Sequence, residues 1–315
     1  MTPKQLLRIA VALAALLFLW GLVQLFGHKT DTTTARFDLP RLNVADVDTI
    51  KIFRPADTLV VARGEGDSWT VNGFRASTQS VADLFTALKD SSLAELVAEN
   101  PSSHAQLGVD STKGKRLELI KASQVLLNLV LGDHGPGFEG VYVRRPSEPT
   151  VYLIHANLSN PVERQLDDWR DKEVVAVNPD SVREIRVERR KGGYTLRYGD
   201  GGWRFAAGAR ADSGAVRRML EQYRHFQAGG FPTRAQEDSI HFTRPTRRMT
   251  LMGPSTPLAD LLFDSTSTWW WVRQADGGYT YRLESWRLDQ LFPADSTLRA
   301  KPDTAKKAKA DTTKK

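Results

Sequence analysis

The sequence predicts an α+β protein in which an N-terminal transmembrane helix precedes two tandem, duplicated domains of antiparallel sheet with packed helices. Three observations predict it. An uncharged run of 18 residues, Ile9 to Phe26, carries one polar side chain, Gln24. The following residues alternate short β-type and helix-type periods. The order of those periods then repeats at an offset of about 130 residues.

The apolar run meets the minimum for a helix crossing a hydrocarbon layer of roughly 30 Å. Lys4 and Arg8 precede it, so residues 1–8 are expected in the cytoplasm and the bulk of the chain outside it, periplasmic or extracellular. A cleaved signal peptide would have a core of roughly 7–15 residues and a small-x-small site. Here the run ends in Leu22, Val23, Leu25 and Phe26, which favours a retained single-pass anchor over residues 9–26. The lipid bilayer is then the first expected partner. With no cysteine in the chain, a lipoprotein anchor, disulfides, zinc–thiolate sites and cysteine nucleophiles are excluded.

The net charge of +7 is concentrated at the two ends. Of 44 bases, ten lie in residues 1–29 and 299–315, and of 37 acids only two, leaving 34 bases against 35 acids between them. The body is neutral, so the charge does not point to nucleic acid.

Residues 27–45 read as a polar spacer. Asp48–Ile52, Leu59–Ala62 and Trp69–Val71 read as strands of a meander. Ser77 is a candidate N-cap for a helix whose Val81, Leu84, Phe85 and Leu88 share one face. A loop with Pro101 and Gly108 leads to strands at Arg116–Ile120, Val125–Leu131, Gly140–Arg144 and Val151–Ile154. Asn160-Pro161 reads as cap and first turn of one closing helix carrying Val162, Leu166 and Trp169.

The pattern then restarts. Ile50 and Ile52 answer to Ile185 and Val187, and Trp69 to Trp203. The helix face recurs as Val216, Met219, Leu220 and Tyr223 behind an Asp212 cap. Leu117, Leu119 and Leu129 answer to Met249, Leu251 and Leu261, Val143 to Val272, and Tyr152 to Tyr281. The expected organisation is a first repeat over 46–177, a second over 178–294, and a disordered basic tail over 295–315, which lacks large apolar clusters.

Chemistry-bearing patterns are sparse. Gly135-Pro136-Gly137-Phe138-Glu139-Gly140 matches G-x-G-x-x-G, but a strand follows where a dinucleotide site needs a helix, so it reads as a hairpin loop. There is no P-loop, no H-E-x-x-H and no G-x-S-x-G, and the six histidines never pair at metal-ligand spacing. The acids Asp167, Asp168, Asp171 and Glu173 alternate with Arg164, Arg170 and Lys172, as in a salt-bridged helix end. No catalytic residue, cofactor or metal site is expected.

Trp269-Trp270-Trp271 is the candidate partner-binding feature. In a strand Trp269 and Trp271 share a face and Trp270 takes the other. One reading buries one face in the core and half-covers the other at the inter-domain contact. The other makes an aromatic platform, since Trp is enriched where binding energy concentrates. Trp169 and Arg170 are the candidate domain-junction residues, expected to pack against residues 174–190 because only Asn178–Ser181 remains as linker.

Several stretches resemble the DUF4340 family of membrane-anchored bacterial proteins. They are Ser68-Trp69 through Leu88, Ala98-Glu99-Asn100-Pro101 to Leu107-Gly108-Val109-Asp110, Gly140-Val141-Tyr142-Val143-Arg144, Tyr152, and Asp168-Trp169-Arg170-Asp171-Lys172. The likeness is good over roughly residues 65–175 and weak through the second repeat, which lacks counterparts of Gly108 and Trp169-Arg170. It implies a location in the cytoplasmic membrane and a genetic neighbourhood beside ABC transporter subunits of the gliding-motility type, with the transporter's membrane subunits as partners. No reaction is established for that family, so the likeness implies no active site. Two functions follow as expectations: a non-enzymatic extracytoplasmic accessory protein binding a partner or substrate, or a cell-envelope hydrolase with an unrecognised site.

Overall fold

A computed structural model describes residues 37, 39–90 and 94–301. The expected anchor at 9–26 and nearly all of the spacer before residue 37 lie outside these residues. Among the described residues no helix is long and apolar enough to cross a membrane. The structure is a mixed α/β one dominated by antiparallel sheets, with few helices. The chain divides into two compact units between Trp169 and Arg170.

The first unit runs β1 (Thr49–Phe53), β2 (Thr58–Arg63), β3 (Trp69–Val71), β4 (Phe74–Arg75), α1 (Thr78–Asp90), β5 (Ala94–Ala98), β6 (Lys115–Lys121), β7 (Gln124–His134), β8 (Val141–Arg144), β9 (Val151–Ile154), α2 (Ser159–Glu163) and α3 (Leu166–Trp169). Its nine strands form one antiparallel sheet in the order β4-β3-β2-β1-β6-β7-β8-β9-β5. Alternation decides the faces. Ile50, Ile52, Leu117, Leu119, Leu129 and Leu131 pack with the apolar stripe Val81, Leu84, Phe85 and Leu88 of α1. The other face carries Val130 and Val151, covered by Val109 from the segment between β5 and β6.

The second unit runs β10 (Glu173–Val175), β11 (Glu184–Arg189), β12 (Gly193–Gly199), β13 (Gly202–Phe205), α4 (Ser213–Glu221), β14 (Phe226–Gln227), α5 (Arg234–Glu237), β15 (Arg247–Met252), β16 (Pro257–Ser265), β17 (Trp270–Gln274), β18 (Gly277–Leu283), α6 (Leu288–Leu291) and α7 (Asp295–Leu298). Seven strands form an antiparallel sheet ordered β13-β12-β11-β15-β16-β17-β18, and β10 pairs with β14.

The strand orders of the two units match element for element apart from the two edge strands β4 and β5, which the second unit's sheet lacks, and so do the registers. Ile50 pairs with Leu119 and Ile52 with Leu117; Ile185 pairs with Leu251 and Val187 with Met249. Leu117 faces Leu129, as Met249 faces Leu261. Val143 faces Tyr152, as Val272 faces Tyr281. Trp69 and Trp203 are both buried. The helix caps agree too. Ser80 N–H donates to Ser77 Oγ at 3.2 Å, and Ala215 N–H donates to Asp212 Oδ1 at 3.0 Å.

Several expectations need correction. The segment 173–177 joins the second unit: Val174 and Val177 sit in its core, and Val177 N–H donates to the Tyr223 carbonyl at 2.9 Å. The closing segment is two short helices, because Arg164 takes ψ 135; Asn160 lies inside α2, accepting from the Arg164 guanidinium at 3.0 Å. Tyr223 lies two residues beyond α4 yet is still fully buried. The tail begins later than residue 295, since α7 places Leu298 in the core. β5, an added edge strand beside β9, is not anticipated by its weak alternation.

Arg248 and Asp260 join β15 to β16 with a two-pronged contact, Nε to Oδ1 at 2.8 Å and a terminal nitrogen to Oδ2 at 2.5 Å. The Arg248 hydrogen bonds hold the Asp260 carboxyl below its ordinary pKa of 3.8, outweighing its partial burial. A carboxylate whose folded pKa is depressed contributes stability above its unfolded pKa and loses it as pH falls through the folded one. Asp260→Asn should therefore cost about 1 kcal/mol near neutral pH, a figure kept low because the pair is partly exposed and screened. Urea titrations should show the gap between variant and parent closing as pH falls below the ordinary carboxylate range and Asp260 takes up its proton; a gap independent of pH would refute this.

Candidate functional site

The longest strand of the first unit, β7, ends at His134 and returns through Gly135–Gly140 into β8. The loop is closed by its own backbone. Gly135 N–H donates to the Gly140 carbonyl and Phe138 N–H to the Gly135 carbonyl, both at 3.1 Å. Gly137 and Phe138 take consecutive left-handed conformations, φ 67° and 63°. For phenylalanine that conformation costs roughly 1–2 kcal/mol. Its ring nevertheless stands in water: Phe138 is 82% exposed, with its ring 5.6 Å from that of His134.

Gly140 makes the approach of β8 to β9 possible. Its φ is +84°, and a Cβ there would lie 2.3 Å from the Ile154 carbonyl oxygen. Beside it opens a groove of about 520 Å³ lined by His134, Phe138, Glu139, His155, Asn157 and Ser159. His155 Nε2 lies 3.0 Å from Glu95 Oε1, which ties the groove wall to β5. The groove offers an apolar ring, two imidazoles and several polar groups, a lining suited to a side chain or short peptide segment. Among the described residues no three His, Asp or Glu side chains are placed to hold a metal. The glycine-rich run does lie between two strands, as its sequence context predicts.

The tryptophan trio packs within the second unit. Trp271 is buried against Phe242 and Leu262, with Trp269 and Ile240 alongside, and its Nε1–H donates to Thr266 Oγ1 at 3.2 Å. Trp270 turns to the main core, partly buried, with the Arg247 guanidinium 5.2 Å from its ring. The Arg282 guanidinium lies 4.7 Å from the Trp269 ring. Register makes Trp271 the counterpart of Tyr142, since Val272 faces Phe263 as Val143 faces Leu131. Each covers the back of its own sheet.

The two junction residues straddle the division of the chain. Trp169 is fully buried in the first unit's core. The guanidinium of Arg170 lies 3.3 Å from the Phe231 ring centroid in the second unit. Trp169 has a counterpart that the sequence comparison misses. Ser77 N–H donates to the Trp169 carbonyl and Asp212 N–H to the Leu298 carbonyl, both at 2.8 Å. Leu298 therefore fills in the second unit the place of Trp169 in the first. The exposed Phe138 was also missed, because Gly-Pro-Gly-Phe reads as an ordinary turn; an aromatic residue inside a run of turn residues was the available signal.

The profile of a family described as "Domain of unknown function (DUF4340)" matches residues 69–245, more than half of the chain. No curated protein and no solved structure matches it.

Proposed function

This chain belongs to the DUF4340 family, and on that premise we propose that it is a binding protein without catalytic function. In this reading residues 9–26 anchor it in the cytoplasmic membrane, and two extracytoplasmic units made by tandem duplication serve an ABC-type transport system. The matching strand orders and registers support the duplication. The observation that carries the binding role is Phe138. A large apolar ring stands in solvent on strained backbone beside a groove of ligand-sized volume, and its contact with the His134 ring leaves most of its surface exposed. Such rings are where partners gain binding energy.

The test uses the full-length chain in native membranes, with a photo-crosslinking phenylalanine analogue at position 138. A discrete adduct with a transporter membrane subunit is expected, read by mass spectrometry. Phe138→Gly should abolish partner capture by the tagged chain while leaving stability unchanged or about 1 kcal/mol higher, because glycine relieves the left-handed strain. Adducts with lipid alone, or capture unchanged in Phe138→Gly, would sink the proposal.

A further inference from the structure

In the second unit two arginines stand directly opposite each other. Arg189 ends β11, Arg247 opens β15, and the register pairs them. They share the face of Val187 and Met249, at the rim of the core. Like charges so placed repel.

The first unit shows how the same corner is neutralised. There Arg54 pairs with Asp57 at 2.5 Å, and Lys115 with Glu163 at 2.6 Å. Arg54 also donates to the carbonyls of Glu163 and Arg164. Arg189 makes the matching contacts, donating to the carbonyls of Phe292 and Pro293 at 3.1 Å each. Phe292 therefore stands where the first unit has Glu163. Arg54 N–H donates to the Asp57 carbonyl and Arg189 N–H to that of Gly192, so Gly192 stands where the first unit has Asp57. Both neutralising carboxylates are gone.

Among the described residues neither Arg189 nor Arg247 forms an ion pair. The Arg247 side chain also donates no hydrogen bond there, and its guanidinium rests 5.2 Å from the rings of both Trp270 and Phe292. Burial, then the neighbouring Arg189 charge, lowers the Arg247 pKa. The nearby acids are engaged or too far: Asp264 takes the Thr246 hydroxyl, Asp295 pairs with Arg299 at 3.3 Å, and Asp289 acts on Arg247 only through space. Arg190, on the adjoining turn, takes Asp264 as its ion-pair partner at 3.9 Å, and Lys191 beside it adds positive charge.

We propose that Arg189 and Arg247 form a docking site for two neighbouring carboxylates of an acidic partner segment. The first unit supplies those carboxylates from its own chain; the second leaves them to a partner. Guanidinium forks match carboxylates in geometry as well as charge.

The test titrates the full-length chain, in detergent at low salt, with a fluorescein-labelled octaglutamate peptide and an octaglutamine control. Arg247→Met keeps the apolar stem and removes the charge. It should weaken octaglutamate binding about tenfold, the effect of losing one charge-assisted hydrogen bond. Gly192→Asp returns a carboxylate to the place Asp57 holds. Its Cβ meets nothing within 4 Å, and aspartate tolerates the φ of +76° found there. It should weaken binding similarly, whereas Lys115→Met should leave binding unchanged. Equal octaglutamate affinity in the parent, Arg247→Met and Gly192→Asp would overturn the proposal, since charge elsewhere would then be responsible. So would phosphatidylglycerol vesicles, in place of the peptide, being the only probe that responds to Arg247→Met.

Discussion

Trp169→Ala is expected to cost the first unit about 3–5 kcal/mol, the usual range for removing a large buried aromatic. Trp169 is among the largest fully buried side chains of the protein. It ends α3, and its position fastens that helix to the start of α1 from two sides. Ser77 N–H donates to the Trp169 carbonyl at 2.8 Å, and Ser80 Oγ donates to the Asp168 carbonyl at 2.9 Å. The indole Nε1 finds no hydrogen-bond partner among the described residues, so the side chain acts through volume and not through a polar contact. Trp169→Phe should consequently cost much less than Trp169→Ala. Against a typical total stability of 5–15 kcal/mol, the alanine change removes a large fraction. Hydrogen exchange at the amides of α1 reads the first unit directly, with urea denaturation giving the global value. A loss below about 1 kcal/mol would mean that the surrounding core collapses onto the vacated site, contrary to the close packing from which the prediction starts.

Trp169 also marks how far the sequence could be read. Alternating and helical periods located most strands and both long helices, because each element buries one face and that leaves a period in the chain. The pattern comparison set Ile50 against Ile185, Leu129 against Leu261 and Val143 against Val272, and these pairs occupy like strand positions in the two sheets. Leu298 was missed as the partner of Trp169 because the two share a place and a backbone hydrogen bond but no chemical likeness. β5 was missed because an edge strand needs little alternation to pair along one side. The tryptophan trio is unusual in sequence, yet two of its members cover the back of the sheet much as Tyr142 does in the first unit. Phe138 stands out only once its backbone conformation is known, since exposure and positive φ leave no period. The uncompensated pair Arg189 and Arg247 is likewise invisible until register sets them opposite each other and identifies Gly192 and Phe292 as the positions where carboxylates are absent.

Gly140→Ala should destabilise the first unit by about 2–5 kcal/mol, from two additive causes. An L side chain at φ +84° costs roughly 1–2 kcal/mol. The new methyl group would also lie 2.3 Å from the Ile154 carbonyl oxygen and 3.2 Å from His155 Cα. Both are backbone atoms of the chain beside β8, so no rotamer change relieves the overlap, and overpacking of this kind adds roughly 1–3 kcal/mol. Val141 pairs with Ile154 one residue further on, so the strain must be taken up by the β8–β9 pairing or by the loop. Gly137 separates the two causes. It too has positive φ, 67°, but a Cβ there meets nothing within 4 Å. Gly137→Ala should therefore show the conformational cost alone, about 1 kcal/mol. The consequences for binding should divide in the same way. The Gly140 carbonyl accepts from Gly135 N–H and closes the loop that presents Phe138. Displacing Gly140 should impair partner capture at Phe138, while Gly137→Ala leaves the closure intact. Paired urea melts and membrane crosslinking on the two variants measure both effects. Equal stability losses in Gly140→Ala and Gly137→Ala would show that the close approach of Gly140 to β9 is relieved at no cost, and that the loop is not held by it.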